Sequence, residues 1–275
     1  MSKPNVILYI TTITKDLIEY LQDDYNFEIA LRLLDDLKLQ SAIQNLKTPF
    51  KYKQLVSNLF SRYVLNKQIH KPVFSKLEYS FNQYGKPSIK GINFNSSSSN
   101  DIIAIAITGS EASIGIDLSH SSQNLSPTDY MEQFKPIFNE REVGKVDSYF
   151  KFNHFWTLKE AFTKLLGCGL NLDLSKFYFN TDAFNDKDYR VFNKIGKNES
   201  TLLDIRWCED IELNADLLFQ EANVLVKNLE NRFSCYSTIL EYSNGKLPVI
   251  CSIITQKKVN IECIEIDFLT VLQNI

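Results

Sequence analysis

Two short segments hold charged side chains at spacings that could do chemistry: Gly115-Ile-Asp-Leu-Ser119, and Trp156-Thr-Leu-Lys-Glu-Ala-Phe-Thr-Lys164 running on into Leu165-Leu-Gly-Cys-Gly-Leu170. Asp117 stands between Ile116 and Leu118 in an apolar, strand-like run. Its carboxylate therefore points to the face opposite theirs, where burial is costly without a cationic partner or a metal. In the second segment Phe155, Leu158, Phe162, Leu165 and Leu166 recur at helical spacing as a core stripe, while Glu160 and Lys164, one turn apart, share another face. Taken alone, such a pair is the commonplace surface ion pair, worth about a few tenths of a kcal/mol. Gly167 and Gly169 end the helix.

These residues need elements to hold them. Residues 6–10 read as a strand, and 15–45 carry Ala30, Leu33, Leu34 and Leu37 at helical spacing, which predicts helical hairpins. A further helix fits 52–65, with Leu55, Leu59, Phe60, Tyr63 and Val64 on one face and Lys53, Gln54, Asn58, Ser61 and Arg62 mostly on the other. Tyr84-Gly85-Lys86-Pro87 is a turn signature, and the polar tract 95–100 reads as a loop. Residues 101–108 and 113–118 read as neighbouring strands of a hairpin. The pattern is helical again over 130–167, then strand-like at 177–179, 202–207, 233–240 and 249–254, and strand then helix over 259–275. Strand, helix, strands thus occurs twice. This predicts an α+β fold of two similar lobes, 1–112 and 113–275, each a small, mostly antiparallel sheet packed against helices, with the active site in the cleft between them.

The 275 residues are 44% hydrophobic and 23% charged, with 30 basic against 33 acidic side chains. That is a globular chain with material for a real core. A pI near 5.7 and scattered Lys and Arg argue against a nucleic-acid binder. Five cysteines with no C-x-x-C pair suggest neither zinc nor a disulfide framework. The N-terminus reads as a strand rather than a signal peptide, and no apolar stretch reaches membrane-spanning length. A monomer in a reducing, cytoplasmic compartment is expected.

The strand aspartate, the Lys-Glu-Ala helix with a further Lys, and the upstream Gly-Lys-Pro turn together resemble the 4′-phosphopantetheinyl transferases of the large, two-lobed type. Their signatures are G-[IV]-D-x-E and [FW]-x-x-K-E-[AS]-x-x-K, with G-K-P and F-N-x-S-H upstream, and the likeness runs in order over about residues 75–180. The 134–142 segment and Asn171-Leu-Asp-Leu-Ser-Lys-Phe177 make the chain most similar to the fungal enzymes that activate α-aminoadipate reductase in lysine biosynthesis. The resemblance implies transfer of the phosphopantetheine arm of coenzyme A to a serine of an apo carrier domain, with Mg²⁺ and release of adenosine 3′,5′-bisphosphate. It implies Asp117 and Glu160 as metal ligands, Lys164 on the pyrophosphate, and Lys159 at the site edge for coenzyme A or an acidic carrier. Tyr84, Gly85 and Lys86 would meet the nucleotide end, with Ser98 and, more loosely, Lys53 near the 3′-phosphate. Glu142 aligns with a candidate general base; an exposed helix glutamate is the alternative, and water relayed through Glu160 is the competing route.

The chain departs from the pattern twice: Ser119 replaces the third carboxylate, and Ser98 replaces the histidine. Weaker metal binding and relaxed discrimination against 3′-dephospho-coenzyme A are the expected costs. Two other readings follow. One is a catalytically weak relative that still grips coenzyme A or a carrier, and the other is a metal-dependent phosphohydrolase using Asp117 and Glu160. His120 and His154 match no ligand position and read as structural or exposed, while Phe155, Trp156 and Phe162 read as core.

Overall fold

The computed structural model describes residues 5–109, 112–120, 132–185, 188–193, 201–202, 205–221, 233–242 and 248–275. Strand β1 (Asn5–Thr12) leads into helices α1 (Lys15–Gln22), α2 (Asp24–Arg32), α3 (Leu37–Gln44) and α4 (Phe50–Gln68). Asp23 and Asp36 cap α2 and α3 through their carboxylates, which accept the orphan backbone N–H groups of the first turn. On α4 the expected apolar stripe of Leu55, Leu59, Phe60 and Val64 is buried, with Tyr63 half-buried beside it. Arg62 is buried as well, because its guanidinium donates to Asp35 and to the Leu33 and Phe74 carbonyls.

Short strands β2 (Ser80–Phe81) and β3 (Pro87–Ser88) flank the Gly-Lys-Pro turn, and β4 (Asn93–Ser99) then pairs antiparallel with β5 (Ile102–Thr108). The polar tract is thus a strand, not a loop. Its serines gain register and ladder hydrogen bonds from the fully apolar β5, which outweighs the weak strand preference of serine. The turn shrinks to Asn100 and Asp101, both with positive φ. Nor do β5 and β6 (Ile114–His120) form a hairpin, for they belong to different sheets. One sheet runs β4-β5-β1-β13-β9, with β13 (Asn260–Ile266) parallel to β1. The other runs β6-β12-β11-β8, built on β11 (Ser234–Tyr242) and β12 (Val249–Thr255). Strands β8 (Arg190–Asn193) and β9 (Thr201–Leu202) lie at the far edges, and β7 (Tyr178–Asn180) pairs with β10 (Glu212–Asn214). Residues 130–131 and 203–204, which carried part of the helical and strand expectations, lie outside the described residues.

Alternation along each strand decides what lies between the layers. Val6, Leu8, Ile10, Ile102, Ala104 and Ala106 join Ile114, Ile116, Leu118, Val249, Cys251 and Ile253 in one apolar cluster shared by the two sheets. The opposite face of the first sheet packs under α1–α4. That of the second packs under α6 (Tyr149–Leu166), which follows the one-turn helix α5 (Glu140–Val143) and precedes α7 (Asp216–Glu221). The C-terminal segment crosses back. Strand β13 lies inside the first sheet, and helix α8 (Phe268–Gln273) packs Phe268 edge-on against Phe60 of α4. Residues 260–273 therefore complete the first sheet and its helical layer, whereas the expected division at 112/113 had put them with the second. Among the described residues no helix is long and apolar enough to cross a membrane.

Helix α6 starts at Ser148, whose hydroxyl accepts the Lys151 N–H, and ends at Gly167 with φ 74°. It lies unusually close to β6. A Cβ on Gly115 would stand 1.9 Å from the Ala161 carbonyl oxygen and 2.6 Å from the Leu165 nitrogen, both backbone atoms. Gly115→Ala is therefore expected to push α6 off the sheet at a cost of about 1–3 kcal/mol. A chemical melt that leaves the midpoint unchanged would refute this close approach.

Candidate active site

The glycine contact sets the chemistry two residues on. Asp117 shares the helix-facing side of β6 with Gly115, so the approach that places Ala161 and Leu165 over Gly115 brings Lys164 to Asp117: Nζ donates to Oδ1 at 2.7 Å. Asp117 is 6% exposed. Burial pushes its carboxyl up, while Lys164 and the bonds from Ser97 and the Leu118 N–H hold it down. Glu160, one turn before Lys164, is half-buried. Burial raises its pKa, the Asp117 charge raises it further, and Lys164 opposes both.

Strand β4 supplies the facing wall. Both β4 and β6 are edge strands, and an edge carries unpaired N–H groups. Side chains from β4 satisfy them: the Ile116 N–H donates to Asn95 Oδ1 at 3.0 Å and the Leu118 N–H to Ser97 Oγ at 3.1 Å. Ser97 Oγ in turn donates to Asp117 Oδ1 at 2.9 Å and accepts from Lys164 Nζ at 3.1 Å. A cavity of about 480 Å³ opens here, lined by Asp117, Glu160, Lys164 and Trp156 on one side and by Ser96–Ser98 with Ser57 and Ser61 of α4 on the other.

Lys164 and Ser96 also line a second cavity, of about 240 Å³, with Tyr84, Gly85, Lys86 and Gly167. The turn is clamped to the end of α6: Asn82 Nδ2 donates to the Gly167 carbonyl at 2.7 Å and Lys86 Nζ to that of Leu165 at 3.2 Å. Burial lowers the Lys86 ammonium to about 8. Any side chain at Gly167 would meet Lys86 Cδ at 2.9 Å.

The structure thus brings Asp117, Glu160, Lys164, Lys86, Tyr84, Gly85 and Ser98 to two adjoining cavities. It puts the other expected residues elsewhere. Glu142 and Lys159 are fully buried and paired at 2.8 Å. Lys159 spends its other donors on the Leu174 and Phe177 carbonyls, and Glu142 accepts the Asn139 and Phe179 N–H groups. Burial pushes the Glu142 carboxyl up and the Lys159 ammonium down, each opposed by the other's charge. Neither lines the cavities, and Glu142 is the buried partner of Lys159 rather than an exposed helix glutamate. Lys53 forms an ion pair with Asp101 and stands one turn before Ser57, outside both cavities. Ser119 turns its hydroxyl to Asn153 Oδ1 at 2.6 Å, away from Asp117.

Phe155 and Phe162 are core, but Trp156 is half-buried and lines the larger cavity, contrary to the core reading. His154 is buried against Ser237 at 3.0 Å with its pKa down at about 3, and His120 meets the Tyr149 hydroxyl at 2.7 Å. Sequence reasoning gave no role to Ser97, although it stands at the serine of the F-N-x-S-H stretch, and missed Ser57 and Ser61. The signal for Ser97 was its two-residue spacing from Asn95, which puts both on one face once 93–99 is a strand.

Residues 113–213 match the family model of the 4′-phosphopantetheinyl transferase superfamily. The L-aminoadipate-semialdehyde dehydrogenase-phosphopantetheinyl transferase of Candida glabrata is 27% identical over 218 residues, 74% of this chain and 82% of that protein. The protein of the same name from Saccharomyces cerevisiae is 28% identical, over 66% of this chain and 70% of its own length. A bacterial 4′-phosphopantetheinyl transferase, from Aneurinibacillus migulanus, is 27% identical over 57% of this chain. The matched region contains β6 and α6, with Asp117, Glu160 and Lys164 around one cavity, and over that region the chain is similar to the 4′-phosphopantetheinyl transferase superfamily.

Proposed function

We propose that this chain transfers the 4′-phosphopantetheine arm of coenzyme A to a serine of an apo carrier domain, that of α-aminoadipate reductase, as the names of its fungal relatives suggest. The observation that carries this reading is the Asp117–Lys164 pair with Glu160 beside it, walled by hydroxyls and opening onto Lys86. In the reaction the acceptor hydroxyl forms a bond to the β-phosphorus. The bond from that phosphorus to the bridging oxygen breaks, and adenosine 3′,5′-bisphosphate leaves. Such transfer demands positioning and charge neutralisation more than covalent help from the protein.

Magnesium fits the donor set. Two carboxylates that repel each other across one cavity suit a hard ion that takes one or two protein carboxylates together with phosphate oxygens and water. Asp117 and Glu160 would hold it, and when bound it neutralises charge on the pyrophosphate. Lys164 offers its ammonium to the same oxygens. In this reading the acceptor's proton leaves through water relayed by Glu160. Ser119 and its Asn153 bond leave the site with two carboxylates.

Lys86 would meet the nucleotide end. Its folded pKa of about 8 lies below the ordinary lysine value, so its charge is present below pH 8 and lost as pH rises through it. The expected result is a KM for coenzyme A that rises between pH 7 and 9 and flattens in Lys86→Arg, whose guanidinium stays charged. The unfolded lysine keeps its proton to higher pH, so over this window stability rises with pH and unfolding does not explain the loss.

Release of adenosine 3′,5′-bisphosphate with and without apo carrier separates the readings. Release only with carrier supports transfer. Release without it supports a phosphohydrolase, and binding without release supports an inactive relative.

A further inference from the structure

We infer that Ser97 is a positioning residue that holds Asp117 and Lys164 in register for the reaction; the inference rests on the transferase reading and deepens it. A serine hydroxyl has one hydrogen to give and two lone pairs to share. All three are used here: the hydrogen goes to Asp117 Oδ1, and the lone pairs receive Lys164 Nζ and the Leu118 N–H. One oxygen atom thus touches the anion, the cation and the backbone of the strand that carries the anion.

Its own position is fixed from the other sheet, because β4 pairs residue by residue with β5. Ser97 therefore ties the acid–base pair to both sheets at once. Its neighbours Ser96 and Ser98 are exposed, so their hydroxyls stay available to a ligand, while that of Ser97 is spent on the protein. Asn95 provides an internal comparison. It makes the same kind of bridge between the edge strands, to the Ile116 N–H, and lines the smaller cavity, but hydrogen-bonds to neither Asp117 nor Lys164. If Ser97 merely tethered β4 to β6, loss of either side chain would have the same consequence. If it positions the charged pair, only its own loss reaches the chemistry.

The test compares Ser97→Ala, Ser97→Thr and Asn95→Ala by steady-state carrier modification, thermal melting, and Mn²⁺ titration read by the free-ion electron paramagnetic resonance signal, without carrier or coenzyme A. Ser97→Ala is expected to lower kcat about tenfold or more while KM for coenzyme A moves by less than about threefold. Its Mn²⁺ binding weakens about threefold or more, because Asp117 loses a fixed orientation. Ser97→Thr, which keeps the hydroxyl, restores both. Asn95→Ala, which also alters the wall of the smaller cavity, lowers Tm as Ser97→Ala does and shifts KM for coenzyme A, but keeps most of kcat.

A KM that rises with kcat unchanged would make Ser97 a direct ligand contact and overturn the inference. Equal kcat losses in Ser97→Ala and Asn95→Ala would reduce it to a strand tether. Should alanine not fold, Ser97→Cys keeps the volume with a weakly bonding thiol and is read the same way. If the wild type modifies no carrier, the transferase reading falls by itself. The Mn²⁺ titration then still decides Ser97, with unchanged affinity counting against it.

Discussion

Glu160→Gln lowers carrier modification about 10²–10³-fold while the protein stays as stable as the wild type or becomes slightly more so. The loss follows from charge: glutamine keeps the shape but removes a carboxylate from a site whose work is electrostatic, and such losses cost about 3–4 kcal/mol of transition-state stabilisation. The stability outcome follows from the same geometry. Asp117 and Glu160 repel each other with Lys164 as the partner between them, and removing one negative charge relieves that repulsion. A residue whose removal costs activity and no stability is one held against the fold's own preference. Initial rates beside a urea melt measure both halves. Unchanged turnover would remove Glu160 from the reaction, and a large drop in midpoint would make it structural.

Lys159→Met is expected to do the reverse. It leaves the Glu142 carboxylate buried without its cation and strips the Leu174 and Phe177 carbonyls of their donor. Breaking a buried pair in this way costs about 3–5 kcal/mol. For a chain of this size that is a fall in Tm on the order of 10 °C. Replacing both partners by apolar residues, as in Lys159→Met with Glu142→Leu, recovers part of the loss because no lone charge remains. Among molecules that stay folded, turnover per site stays within an order of magnitude of wild type. Thermal melts together with active-site titration test this. A stable Glu142→Gln with abolished kcat would instead return Glu142 to the role of general base.

The contrast between Glu160 and its neighbour Lys159 explains how much of the site was legible beforehand. Helical periodicity put Glu160 and Lys164 on one face, and strand alternation put Asp117 opposite Ile116 and Leu118. Both statements depend on local geometry alone, and the fold respects them. Whether Lys159 or Glu142 faces a cavity depends on what covers the outer side of α6. That cover is the 174–179 segment, whose carbonyls no periodicity reveals. Ser97 was hidden for a related reason. A serine run has the composition of a loop, and only pairing with Ile102–Thr108 makes it a strand whose alternate residues can face β6.

The larger architecture divides along the same line. The strand and helix near the C-terminus were readable from local pattern, but their return to the first sheet was not, since the parallel partner of β13 lies more than 200 residues earlier in the chain. The hairpin expected of β5 and β6 failed likewise. Both are apolar and adjacent in sequence, yet their inward faces meet across the layer between the sheets rather than within one sheet.

The most direct measurement is the intact mass of an apo carrier domain from α-aminoadipate reductase after incubation with this protein, coenzyme A and Mg²⁺, run beside a carrier whose acceptor serine is alanine. A gain of one phosphopantetheine on the wild-type carrier, absent from the alanine carrier and abolished by chelator, is the expected result. No gain on this carrier or on fatty-acid and peptide-synthase carriers, with the protein folded and coenzyme A bound, would contradict the transferase assignment.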